Sequence, residues 1–494
     1  MDRRGRPEPR AARAAIAAAL IAVLAAPVRA QHVPEAAPAV PPPPEAIHPL
    51  ETPPDGPPPG LPPPGSPPPE LPPVLPPPPE VPKSPAGPPP APVPGGPAAA
   101  GWQAPHWDKG FVLVSPPETG GGMPFRLVLN HVSQFKYTNS LATKPTYTDH
   151  FGVEHDVQRR NDIQLTRDVF YFSGYAFDPR LDYNILIFTS TATLVATAAG
   201  YVGFVFNKAF ALRAGFFSLP SVRSLTGNYP FFHGIDRSMA TNYFRPGFTQ
   251  GVWANGELLA GINYIAMIGN ALNTLGIKAS SLDENRFAGA ASVWYDRNDF
   301  GKPWNDYEHH QAVALRLGTA FTVAREDRLS DLDQAAPENN ATFISDGQFL
   351  FQTGALAPNV TISLADFYLW AVDAGIKYRG FALNGEVYLR WLNRFIADGA
   401  LPVSSMFDWG YDASVGYFVV RSLELIARSS LIHGPFATAL EEAIGFNWYP
   451  FDTRQVWINL EANGIRDCPY FSGYYQYAVG QTGLVIPAQF LVRF

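Results

Sequence analysis

From His106 onward the chain alternates apolar and polar residues with period two, in runs rich in Phe, Tyr, Val and Thr that Gly, Asn, Asp and Pro interrupt. That rhythm predicts β-strands with one apolar face. The last stretch carries it most clearly. Leu484, Ile486, Ala488, Phe490, Val492 and Phe494 share one face, while Gly483, Gln489 and Arg493 share the other. Phe381, Leu383, Val387, Leu389 and Trp391 stand against Asn384, Glu386 and Arg390 in the same way. So do Val313, Leu315, Leu317 and Phe321 against Arg316 and Thr322, and Phe210, Leu212, Ala214 and Phe216 against Arg213. A tilted strand needs about 9–11 residues to cross a bilayer, and these runs have that length.

A soluble β-sandwich alternates too, so other features must decide. The strands are nearer ten residues than the five or six usual in globular sheets. A secretory leader precedes them, and the chain ends on an aromatic residue inside its last strand. An open sheet edge in lipid would leave backbone groups without partners, so a membrane sheet must close on itself. The expected fold is therefore all-β, a transmembrane antiparallel β-barrel of roughly sixteen strands between residues 124 and 494, with a water-filled lumen. Tyr171, Tyr175, Tyr183, Trp253, Trp294, Trp370, Trp409 and Trp448 are expected near strand ends as interfacial girdles.

Composition divides the chain before that barrel. Of 52 prolines in 494 residues, 33 fall between Gln31 and Pro105, and this stretch has almost no aromatic residue from which to build a core. It is expected to be an extended polyproline II spacer with a reach on the order of 200 Å. Residues 1–30 are expected to be a signal peptide: Arg3, Arg4, Arg6, Arg10 and Arg13 form a basic head, 14–26 are apolar, and Val28-Arg29-Ala30 is a small-x-small cleavage site. The division is thus 1–30 leader, 31–105 periplasmic spacer and 106–494 barrel. Without the leader's two acids and six bases, 41 acids oppose 30 bases, a net charge of −11 that excludes nucleic acid as an expected partner.

Particular segments carry a family resemblance. NDIQLTRDVFYFSGYAFDPRLDY at 161–183, GFFSLPS at 215–221, FHGIDRS at 232–238 and FRPGFTQGVWANGEL at 244–258 resemble the phosphate-selective porin O and P family of Gram-negative outer membranes. The opening GFVLVSPPETGGGMPFRLVLNHVSQF at 110–135 is similar to that family's first strand. The resemblance implies a sixteen-stranded homotrimeric barrel in the cell outer membrane, embedded in outer-membrane lipid, with basic residues along an anion path. The chain departs from the family at Ser218, where a lysine is common, and around Val222 and Arg223, where an acidic residue is usual.

Alternation also assigns the lumen face. Arg213, Arg316, Lys377, Arg390 and Arg428 are expected inward on the basic side, with Asp182, Asp373, Glu386, Glu424 and Glu461 on the acidic side. A phosphate path wants clustered cations. The balanced tally predicts instead a general or weakly selective porin passing ions and small hydrophilic solutes. Arg223, Arg237 and Arg245, in the loop-rich stretch 218–250, are candidates for a constriction, tempered by Asp236. Two alternatives stay open: a phosphate or other anion channel, and an envelope tether in which the barrel anchors an arm, residues 31–105, that binds cell-wall material.

Enzymatic and metal chemistry have little support. No spacing assembles a catalytic triad. His131, His150, His155, His233 and His433 are scattered, and adjacent His309 and His310 would point to opposite faces of a strand. Asp331, Asp333, Glu338, Asn339 and Asn340 form an acidic loop without calcium-loop spacing. The lone Cys468 excludes a multi-cysteine site. Neither metal nor cofactor is expected.

Overall fold

The computed structural model describes residues 105–116, 123–191, 195–227, 229–277, 279–282, 286–329, 339–472 and 475–494. The leader, nearly all of the proline-rich spacer, and Asp331, Asp333 and Glu338 lie outside the described residues. The main sheet holds 18 strands. Two of them, His106–Trp107 and Phe111–Val114, form a small hairpin at the rim. The other sixteen, from Phe125–Asn139 to Gly483–Arg493, pair in sequence order, every pair antiparallel. The last returns to the first, with Phe490 opposite Phe135 and Val492 opposite Ser133, and this pairing closes the barrel.

Strand alternation sorts the two faces as the sequence predicts. Outward residues such as Val252, Ile268, Leu317, Leu425 and Ile444 are exposed and apolar, as are Leu484 and Phe490 on the closing strand. Between them the neighbouring positions turn inward, where Arg316, Lys377, Arg390 and Glu386 are buried. An apolar outer band over a polar interior is the inverse of a soluble barrel, and it suits a hydrocarbon surround. Among the described residues no helix is long and apolar enough to cross a membrane.

The two ends differ. At one end lie the start of the first barrel strand, the end of the last and mostly tight connections, such as Arg379-Gly380 between strands Ile362–Tyr378 and Phe381–Ala397. Both turn residues have positive φ, 47° and 83°, the twist that a two-residue hairpin needs. The other end carries the long connections, 140–160, 219–247, 270–287, 328–361 and 467–482. One long segment, 298–313, breaks the pattern by joining strands at the tight-turn end.

Part of the expected aromatic girdle is corrected. Trp370, Trp409 and Trp448 lie on the outward parity, but Trp253 is inward and only 3 % exposed, and Trp294 lies inward beneath the Arg316 guanidinium. Tyr171 and Tyr175 pair on the inward parity as well. Position near a strand end fixes height but not side, and parity decides the side.

Candidate functional site: the barrel lumen

All ten charged residues assigned inward by alternation lie on the inner face. They do not share one environment. Arg316, Lys377, Arg390, Arg428, Asp373, Glu386, Glu424 and Glu461 are each at most 6 % exposed, whereas Asp182 and Arg213 are half-buried. The cause is the packing of loops against one side of the wall.

Segment 219–247 turns into the barrel and is gripped through its own backbone. Glu386 accepts the Arg223 N–H (2.8 Å), and Glu461 and Glu441 accept the N–H groups of Ile235 and Met239. Arg428 donates to the Asp236 carbonyl (2.8 Å) and Asn447 to that of His233 (2.9 Å). Arg428 also bridges Glu441 at 2.8 Å and Glu461 at 2.9 Å. A buried charge survives only when paired and hydrogen-bonded, and here wall charge and loop backbone satisfy each other. The short helix Met239–Phe244, capped by Ser238, packs Phe244 on Tyr388 with ring centroids 5.1 Å apart.

Segment 298–313 enters from the opposite end. Lys377 donates to the carbonyls of Phe300 and Pro303, both at 2.7 Å, and Asn384 to that of Trp304 at 2.9 Å. The two inward segments meet where the Trp304 N–H reaches the Phe231 carbonyl (3.0 Å) and the Arg223 guanidinium lies 4.5 Å from the Trp304 ring. A third segment docks through Arg390, which donates to the Phe343 carbonyl (2.7 Å) while holding Asp408 (2.9 Å). The wall built from strands 314–466 is therefore covered.

The expectation of an open, water-filled lumen is corrected on that side. On the opposite wall, strands 161–297, Tyr171, Tyr175, Asp182, Asn184, Tyr201, Arg213 and Asn255 are half-buried. These polar side chains are left part-exposed on the inner face. Their charges are paired across strands: Arg213 donates to Asp182 at 2.7 Å and also bonds Asn255.

The three constriction candidates lie on segment 219–247. Arg223 is buried between Phe300 and Trp304, Arg237 bonds Ser224 (3.0 Å) and covers Phe232, and Arg245 bonds Asn242 (3.0 Å). Burial, with Arg316 near, lowers the Arg223 guanidinium to about 10, and burial beside Arg245 lowers that of Arg237 to about 9. Asp236 tempers the group more than its sequence position indicates. Burial alone would raise its carboxyl, but Arg167 at 2.8 Å, Lys136 and Arg237 together hold it at about 2. His233 is pushed down to about 3 by burial and by Lys377, Arg223 and Arg428.

Sequence reasoning missed Asp408, Asp412 and Glu441, which the same alternation places inward, and the role of 298–313 altogether. His309 and His310 lie in that segment rather than in a strand. Asp306, Glu308 and His310 bring ligand atoms within 4.8 Å of one another. Arg454 holds the Glu308 carboxylate, and the Gly380 N–H donates to Asp306. Cys468 is buried and donates to the Tyr470 carbonyl (3.3 Å).

No protein-family model matches the sequence, and no curated protein matches it significantly. Solved structures do. The outer-membrane-expressed OmpT of Vibrio cholerae aligns at 9 % identity and a TM-score of 0.47, over 75 % of this chain and 97 % of its own. An anion-selective porin from Comamonas acidovorans aligns at 12 % and 0.46, over 74 % and 98 %. OmpF of Salmonella typhi, in complex with daunomycin, aligns at 11 % and 0.47, over 75 % and 98 %. The closed ladder defines the barrel independently of these likenesses.

Proposed function

We propose that the protein is an outer-membrane porin of Gram-negative type, through which ions and small hydrophilic solutes diffuse passively along the strip of wall formed by strands 161–297. The observation that carries this reading is the asymmetry of the interior: one wall is sealed by gripped segments, and the other keeps half-buried polar side chains. A water-lined strip spares a solute most of its dehydration, so no chemical step is needed. Paired Asp182 and Arg213 on that strip favour weak ion preference over phosphate selectivity. Phosphate or other anion selectivity remains the alternative that the sequence resemblance supports, as it does a homotrimer. The leader and the proline-rich stretch support an arm in the periplasm.

A second reading has one specific observation in its favour. The interior is far more filled than a wide general pore requires, which suits a barrel serving as an anchor for residues 31–105 bound to cell-wall material. Single-channel recording of the mature protein in a planar bilayer under a salt gradient separates the readings. Ohmic steps with weak ion preference and no phosphate block support the porin. Strong anion preference with phosphate block moves the assignment to an anion channel, and folded protein without channels moves it to the tether.

A further inference from the structure

The barrel wall is split at one place. Strands Val195–Asn207 and Phe210–Ser218 pair from Asn207–Phe210 as far as Tyr201–Gly215, and there their ladder stops although both strands continue. Beyond it, Val195 to Gly200 pair only with the preceding strand Asp178–Ser190. Phe216, Phe217 and Ser218 pair only with the following strand Phe248–Leu259. Among the described residues no ladder pair joins Ala196–Gly200 to Phe216–Ser218. The divergence begins at Gly200 and Gly215, whose φ values are +159° and +148°. A Cβ on Gly215 would lie 2.2 Å from the Gly200 carbonyl oxygen.

A cleft of about 610 Å³ occupies this split, in the size range of small-molecule sites. Thr197, Gln250 and Asn270 give it hydrogen-bonding groups, while Phe216 and Val252 give it apolar surface on the outward face. Among the described residues its lining holds no charged side chain. Behind it, Tyr201, Phe217 and Trp253 form an aromatic cluster facing the interior, Phe217 stacking on Trp253 at 4.9 Å. Backbone groups without ladder partners are costly where hydrocarbon surrounds them. The gap in the ladder therefore calls for hydrogen-bonding partners on its edges and apolar matter outside.

We propose that the split between Val195–Asn207 and Phe210–Ser218 is a binding site for a neutral single-chain amphiphile. Its uncharged polar head bonds the open strand edges with Thr197, Gln250 and Asn270, and its acyl chain lies against Phe216 and Val252. The inference rests on the reading of the barrel as membrane-embedded. An added protein strand fits less well, because the second strand offers only Phe216–Ser218 beyond the last pair. A carboxylate head fits less well because the described lining residues offer it no cation.

The test uses the mature chain in phosphatidylcholine liposomes, with Cys468→Ser and Ala198→Cys carrying an environment-sensitive fluorophore. The same label at Ala291→Cys, on an outward position paired on both sides, is the control. Titration with 1-monolauroylglycerol is expected to give a saturable response at position 198 and none at 291. Filling the cleft with Ile277→Trp is expected to weaken that response at least tenfold, and laurate at pH 8 is expected to bind at least tenfold more weakly. Thr197→Val, a smaller change, serves if Ile277→Trp lacks the heat-modifiable mobility of a folded barrel. Equal, non-saturating responses at both positions, indifference to both cleft variants, or laurate binding as tightly as the glyceride would overturn the proposal. Channel recording on the same liposomes keeps the two questions apart: channels without the saturable site defeat this inference alone, and the site without channels defeats the porin reading alone.

Discussion

Replacing Arg428 by Leu tests the grip on the inward segment most severely. The guanidinium lies 2.8 Å from Glu441 and 2.9 Å from Glu461, both nearly without exposure, and donates to the Asp236 carbonyl at 2.8 Å. Those two carboxylates in turn accept the backbone N–H groups of Met239 and Ile235. Leucine fills similar apolar volume but leaves two buried acids without their cation. Breaking a buried ion pair in this way costs about 3–5 kcal/mol. If that loss falls on docking of 219–247, the released population rises by on the order of 10²–10⁴. The assay is limited proteolysis of the folded barrel in liposomes, read by cleavage between residues 219 and 247, alongside single-channel conductance. Faster cleavage and frequent larger conductance steps are expected, with Arg428→Lys intermediate because it keeps the charge and loses the bidentate geometry. Unchanged cleavage and unchanged conductance in a folded Arg428→Leu barrel would refute the reasoning that wall charge holds the segment.

Further predictions concern acid, charge and backbone. His233 is depressed from about 6.5 to about 3, so its neutral form stabilises the docked segment fully above pH 6.5 and progressively less as pH falls toward 3. Asp236, depressed from 3.8 to about 2, adds a loss below pH 3.8. Conductance is expected to change between pH 6.5 and 3, and His233→Gln should flatten the upper part of that profile; an unaltered profile would contradict it. Arg213→Ala leaves Asp182 uncompensated on the half-buried strip and should shift the reversal potential toward cation preference, measured under a salt gradient. Gly380→Val places a Cβ 2.9 Å from the His309 ring at a φ of +83°, and should slow refolding into heat-modifiable barrel or lower its yield.

Much of the barrel is legible in the sequence because strand parity is a two-valued property that local alternation determines. Leu389 and Arg390 cannot both face the lumen, and the apolar run Leu484 to Phe494 fixes which side is outward. The same rule, applied without regard to strand ends, would have placed Trp253 and Trp294 inside and found Asp408, Asp412 and Glu441. What alternation does not reveal is what faces the inward side chains. Whether Glu461 meets water or the Ile235 N–H depends on a contact 226 residues apart, between a wall carboxylate and a loop backbone that bears no residue-specific mark. Arg223, Arg237 and Arg245 are visible as a cluster, but the burial of Arg223 depends on Phe300 and Trp304 arriving from the opposite end. The stop in the ladder at Tyr201–Gly215 was equally hidden, since the residues on both sides still alternate.

On the proposed reading solutes pass along strands 161–297 and not along the covered wall. Single cysteines at Asn184, half-buried on the strip, and at Asn459, buried on the covered side where it donates to Asn447 at 2.6 Å, test it in a Cys468→Ser background. Under a negatively charged thiol reagent during single-channel recording, Asn184→Cys should lose conductance stepwise while Asn459→Cys stays unchanged. Block at Asn459→Cys with no effect at Asn184→Cys would place the path on the other wall and contradict the account.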